Sequence, residues 1–176
     1  AGGYFEALVL GPSAAWLVEQ GWLARPRVFS WPGARNSQGH SPGGQDPEGH
    51  SPELRQRMGE FDLEQAAHAF GDRAAIGDAV SHYRRRLQPG TAICFCCTIE
   101  HAEQMATAFR ADGIRAAAVS GSTPAEERKR LIAGLGTGEV EVLTSCMIIS
   151  EGTDIPSVGG AILMRPTASL SLYLQM

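Results

Sequence analysis

Residues 92–97, Ala-Ile-Cys-Phe-Cys-Cys, are an unbroken apolar run of strand length set between two stretches of helical apolar spacing. A strand that is apolar at every position has no side for water, so it must lie inside a sheet covered on both faces. Upstream, Leu63, Ala66, Ala67 and Phe70 share one helical face, and Ile76, Ala79, Val80, Tyr83 and Leu87 share another that Pro89-Gly90 ends. Downstream, Ala102, Met105, Ala106 and Phe109 predict a helix that stops near Gly113, followed by a short strand over 116–119. Thr123-Pro124-Ala125-Glu126 reads as a capping box with proline at the first helical position. The helix it opens buries Leu131, Ile132 and Leu135 and ends at Gly136. A strand over 140–143, a turn or short helix over 147–149, a strand over 160–164 and a helix starting over 169–175 complete the alternation. The expected fold class is therefore α/β: a parallel sheet with helices on both faces and right-handed crossovers. Ligands of such folds sit beyond the carboxyl ends of the strands, which directs attention to the loops at 97–100, 120–124, 144–156 and 165–169.

The first third of the chain has a different character. Residues 31–52 are rich in Gly, Pro, Ser, Gln and His, and Gly39-His40-Ser41-Pro42 recurs as Gly49-His50-Ser51-Pro52. Such a stretch cannot bury enough apolar surface to offset its ordering, so 31–60 is expected to be a flexible insertion. Residues 1–30 hold a short helix capped by Ser13 and stopped by Gly21, with Trp16 and Leu17 inside it, and a possible strand over 27–30. The regular domain spans 61–176. At 176 residues and 43% hydrophobic, the chain suits one domain with a real core. Its formal net charge of -4 means that any nucleic-acid contact must come from a local patch. No apolar run approaches the ~20 residues of a membrane helix, so no membrane partner is expected. The opening Ala-Gly-Gly-Tyr reads as the interior of a longer protein, without a leader. Three of the four cysteines crowd one strand, which suits a reducing cytoplasm better than a disulfide framework.

Chemistry concentrates in few places. No Gly-x-x-x-x-Gly-Lys-Ser/Thr and no Gly-x-Gly-x-x-Gly occurs, so the piece cannot hold a nucleoside triphosphate and magnesium in the usual way by itself. The loop from Thr144 to Pro156 places small hydroxyls at a strand end, then Gly152 and the carboxylate of Asp154. Hydroxyls and backbone N–H groups suit phosphate oxygens, and a carboxylate suits a ribose hydroxyl. The same polar groups could equally satisfy the loop's own turns. Cys94 and Cys97 form a Cys-x-x-Cys, but Cys94 lies deep in the strand and no second pair completes a metal site, so packing cysteines are expected. Arg84-Arg85-Arg86 and Arg128-Lys129-Arg130 read as solvated helix faces. His82 and His101 read as surface or capping histidines, and Trp16, Trp22 and Trp31 as packing residues for another part of the protein.

From residue 91 onward the order of features resembles the C-terminal RecA-like lobe of superfamily 2 helicases of the DEAD/DEAH-box type. Ile93–Thr98 and the following His-Ala-Glu resemble motif IV. Ser120-Gly121-Ser122-Thr123 with Glu127-Arg128 resembles the segment written His-Gly … Glu-Arg in the family. Ser150–Pro156 resembles motif V, and Ile162–Thr167 with Leu172–Gln175 resembles the lead into motif VI. Leu8–Ser13 and Gly21–Ala24 resemble the bridge from the first lobe in bacterial and phage RadD-like members. The resemblance implies a three-layer RecA-like lobe that clamps ATP against a first lobe while nucleic acid crosses both. It places Thr98, Gly121, Thr144 and Ser145 near the DNA or RNA backbone, with Arg128 the best candidate cation. It places Gly152, Asp154 and Gln175 at the interlobe nucleotide, Asp154 near the ribose and Gln175 as the opening residue of motif VI. Catalytic arginines belong to motif VI beyond Met176, so no catalytic residue is expected within these residues, nor a metal ligand. ATP and Mg2+ would be held mainly by the first lobe. Met147 stands where many relatives carry a polar residue, and Cys146 where the DEAD-box pattern has threonine. Two other readings stay open: a stand-alone RecA-like binding or scaffold module without ATPase, and a thiol oxidoreductase built on the Cys-x-x-Cys.

Overall fold

The computed structural model describes residues 11–29, 54–57, 59–147, 155 and 157–169. The chain divides into two compact units, Ala1–Ser51 and Pro52–Met176. In the first unit, α1 (Ala14–Glu19) begins where Ser13 Oγ accepts the Trp16 N–H at 3.2 Å. Gly21, at φ +77, turns the chain out of it. Arg27–Phe29 take no strand conformation, and Ser30 lies outside the described residues.

The second unit opens with a ribbon of β1 (Gln56–Arg57) and β2 (Glu60–Phe61), paired antiparallel. Low-complexity composition assigned 31–60 to the insertion, and within that span the ribbon lies in the second unit. Its ends are tied, because Arg55 N–H donates to Gln65 Oε1 at 2.8 Å and the Glu60 carboxylate accepts from Thr167 Oγ1 at 3.2 Å. Then follow α2 (Leu63–Phe70), capped by the Asp62 carboxylate, and α3 (Arg73–Arg86). The core alternation is β3 (Thr91–Cys96), α4 (Ile99–Ala111), β4 (Ala116–Val119), α5 (Ala125–Thr137), β5 (Val142–Ser145) and β6 (Val158–Met164). The helix expected over 169–175 lies outside the described residues, apart from Ser169.

The sheet order is β4-β5-β3-β6, and every described pairing in it is parallel. This is the parallel α/β architecture that the apolar run required. Alternate residues of β3 feed two cores. Ala92, Cys94 and Cys96 pack with Tyr83, Met105 and Phe109 from α3 and α4, while Ile93 and Phe95 pack with Leu131 and Leu135 from α5. Tyr83 meets Phe109 edge to face at 5.8 Å and donates its hydroxyl to the Gly90 carbonyl at 2.8 Å, which satisfies its buried oxygen. Full burial of side chains this large contributes about 1.5–3 kcal/mol each.

Two local expectations shift. The helix α5 runs to Thr137, so Gly136 lies inside it, and Gly138 at φ +78 makes the left-handed cap. Nor does the capping box form: Pro124 is the N-cap, and Thr123 Oγ1 instead accepts the Ser120 N–H at 2.9 Å. The hydroxyl is drawn back because it closes the turn leaving β4. The last strand also departs from continuous burial. Gly159, Ala161 and Leu163 are exposed while Val158, Gly160 and Ile162 are partly buried, since β6 is an edge of the described sheet.

Candidate functional site

Parallel strands all end on the same side of their sheet, so residues following β3, β4, β5 and β6 must share one rim. In spatial order that rim carries Ser120-Gly121 after β4, Ser145-Cys146-Met147 at the end of β5, Cys97-Thr98 after β3 and Arg165 after β6. At ~4.8 Å per strand the row is about 14 Å long. Registry holds the ends level: Val119 pairs with Ser145, Ser145 with Phe95, and Cys96 with Met164.

Thr98 is the N-cap of α4, its Oγ1 accepting the His101 N–H at 3.1 Å. His101 reaches back in turn, with Nδ1 accepting the Cys97 N–H at 3.5 Å. The turn is a histidine version of a capping box. Of the two roles expected for His101, surface or capping, it takes the cap, and it is buried there at 1% exposure. Burial holds its imidazole below the ordinary value, in the neutral form that can accept at Nδ1. Gly121 is exposed, and a Cβ there would meet nothing within 4 Å, so a ligand can approach its backbone closely. Arg128 lies one turn into α5, partly exposed, and makes no ion pair among the described residues.

Thr144 and Ser145 are placed differently. Both are buried, and the Thr144 hydroxyl donates to the Ala102 carbonyl at 2.8 Å. Thr144 therefore ties the end of β5 to the first turns of α4, with no surface to offer a ligand. Gly152, Asp154 and Gln175 lie outside the described residues. The strand-end rule also points to the loop at 165–169. The structure sets Arg165 there, its Nη1 against the Met147 thioether. Met147 itself has φ 60 and is 63% exposed.

The cysteines are packing residues. Cys94 Sγ lies 3.9 Å from Cys96 Sγ, not beside Cys97. Cys97 Sγ donates to the Met164 carbonyl at 3.3 Å, and burial pushes its thiol up to about 12. The Cys94 thiol is likewise raised well above its ordinary value, by its hydrogen bond with Cys96 and by burial. A redox dithiol needs the opposite shift, so the oxidoreductase reading loses its chemical basis. Among the described residues no three metal-ligating side chains cluster, and no helix is long and apolar enough to cross a membrane.

Comparison with known proteins adds to this geometry. Residues 74–176 match the family model described as "Helicase conserved C-terminal domain". A "51.5 kDa protein" of a Lactococcus phage is 29% identical over 171 residues, covering 97% of this chain and 34% of the phage protein. The "ATP-dependent RNA helicase DeaD" of Mycobacterium tuberculosis is 33% identical over 66 residues, covering 38% of this chain and 12% of that protein. Among solved structures, Dbp5 of Saccharomyces cerevisiae bound to RNA and ADP BeF3 is similar at 24% identity and TM-score 0.46, covering 52% of this chain and 23% of that one. The chain thus spans about a third of the phage relative and less of the others.

Proposed function

On the premise that the chain belongs to the helicase conserved C-terminal domain family, we propose that it is the second RecA-like lobe of an ATP-dependent nucleic-acid helicase or translocase. The observation that carries this reading is the rim: parallel strand ends present a hydroxyl cap, an open glycine backbone and a partly exposed arginine on one side of the sheet. Thr98, Gly121 and Arg128 offer donors to successive phosphates of a DNA or RNA strand, while Thr144 and Ser145 support the strand end from within. Such contacts read backbone rather than base, so binding is without sequence preference.

The nucleotide half of the proposal rests on the family resemblance. ATP and Mg2+ belong mainly to the first lobe of the longer protein, and this chain adds Gly152, Asp154 and Gln175 to their other side. Asp154 accepts from the ribose, so it orients nucleotide without touching the strand. The test uses the full-length protein and measures single-strand-stimulated ATP hydrolysis and oligonucleotide affinity together. Asp154→Ala should cut ATP turnover by at least ~10-fold, about 1.4 kcal/mol of transition-state stabilisation, with strand affinity unchanged. ATPase kinetics equal to wild type in that variant would refute the role given to Asp154.

A further inference from the structure

Arg165 reaches across the rim. It follows β6, yet its guanidinium rests against Met147, which follows β5, and the strand between those two is β3. The side chain therefore passes over the end of β3, where Cys97 and Thr98 turn into α4. The guanidinium's charge opposes, in part, the burial that raises the Cys97 and Cys146 thiols.

Among the described residues this cation has no counter-charge. Arg84, Arg115, Lys129 and Arg130 are each paired with a carboxylate. Arg165 has no such partner among the described residues, and its Nε is buried without an acceptor. A thioether is a weak acceptor, and a guanidinium carries five donors. Leaving a charged donor buried and unsatisfied is costly, and a planar fork of N–H groups matches phosphate oxygens. The first turn of α4 adds the positive end of its dipole beside Thr98.

We propose that Arg165 is a further strand-binding residue, donating to phosphate oxygens of the nucleic acid as it passes between Thr98 and the end of β5. This rests on the helicase-lobe reading above, which assigns the rim to the strand but gives Arg165 no role. The same phosphate chemistry is offered by a bound nucleotide, and the experiment separates the two sources.

In the full-length protein, affinity for a labelled single-stranded oligonucleotide is measured across ~50 to ~200 mM salt, and nucleotide affinity separately. Losing one phosphate contact should flatten the slope of log affinity against log salt by about 0.7 in Arg165→Met. Affinity at low salt should fall roughly 3- to 10-fold, nucleotide affinity should hold, and Arg165→Lys should keep the wild-type slope. Should Arg165→Met not fold, Arg165→Gln gives the same comparison. A folded, neutral variant with an unaltered slope overturns the proposal and leaves the helicase-lobe reading standing. A loss confined to nucleotide affinity overturns it too, moving the arginine to the nucleotide. Wild-type protein that binds no strand even at low salt would remove the parent reading and this one together.

Discussion

Cys97 gives its S–H to the Met164 carbonyl, and its thiol ionises only near 12, so it acts as a small apolar side chain with one directed contact. Cys94 and Cys96 are buried at 0% and 1% exposure, whereas Cys146 is partly exposed. Treating the native protein with an alkylating agent at mild pH should modify Cys146 first and leave the β3 thiols intact until the chain is unfolded; peptide mapping by mass spectrometry reads the order. Rapid native modification of Cys94 would revive a dithiol role. The packing role was legible because Cys94 stands deep in an apolar run, where no reactive thiol is served. His101 was harder. Its spacing of four from Met105, and again to Phe109, puts it on the buried stripe of α4, where Nδ1 takes the Cys97 N–H while Nε2 is buried without a partner among the described residues.

At the scale of elements, Leu87 and Gly160 show how α3 and β6 fit. A Cβ at Gly160 would lie 2.5 Å from Leu87 Cδ2 and 3.2 Å from its Cγ, so the leucine presses on bare backbone. Gly160→Ala should therefore destabilise the lobe by about 1–3 kcal/mol in denaturant titrations. Adding Leu87→Ala should recover part of the loss for the clash, the two effects being non-additive. Purely additive effects would show that the leucine moves aside freely. Strand and helix identities were readable from apolar period, since burial on both faces or on one stripe leaves different patterns. Boundaries and caps were not: the capping-box pattern pointed the Thr123 hydroxyl at the helix, and the turn after β4 claimed it. The ribbon over 56–61 was hidden because two-residue strands leave no periodicity, and what holds them is the remote Glu60–Thr167 contact.

For the whole molecule, acid sensitivity follows from one buried ring. Burial holds the folded-state pKa of His101 below its ordinary 6.5. An unfolded chain takes up that proton near 6.5, and the folded lobe does so only at lower pH, so the unfolded state binds more protons in between. Stability is fully present above ~6.5 and falls with pH down through the folded-state value, by at most ~1.4 kcal/mol per pH unit from this group. His101→Gln, which keeps an acceptor for the Cys97 N–H, should flatten that part of the stability–pH curve; parallel curves for the two proteins would discount the ring. At this scale the rim itself was legible, because strand-end geometry depends on topology alone, and the row of Gly121, Ser145 and Thr98 follows from it. Arg165 was not singled out, because a sequence does not show that its guanidinium reaches Met147 or that it has no carboxylate partner among the described residues. The row's spacing comes from the hydrogen-bonded lattice between β4, β5, β3 and β6, not from the chain that joins them. Connecting segments of different lengths can be spliced between these strands and the pitch of the row stays the same, so the ruler outlasts changes to what hangs from it.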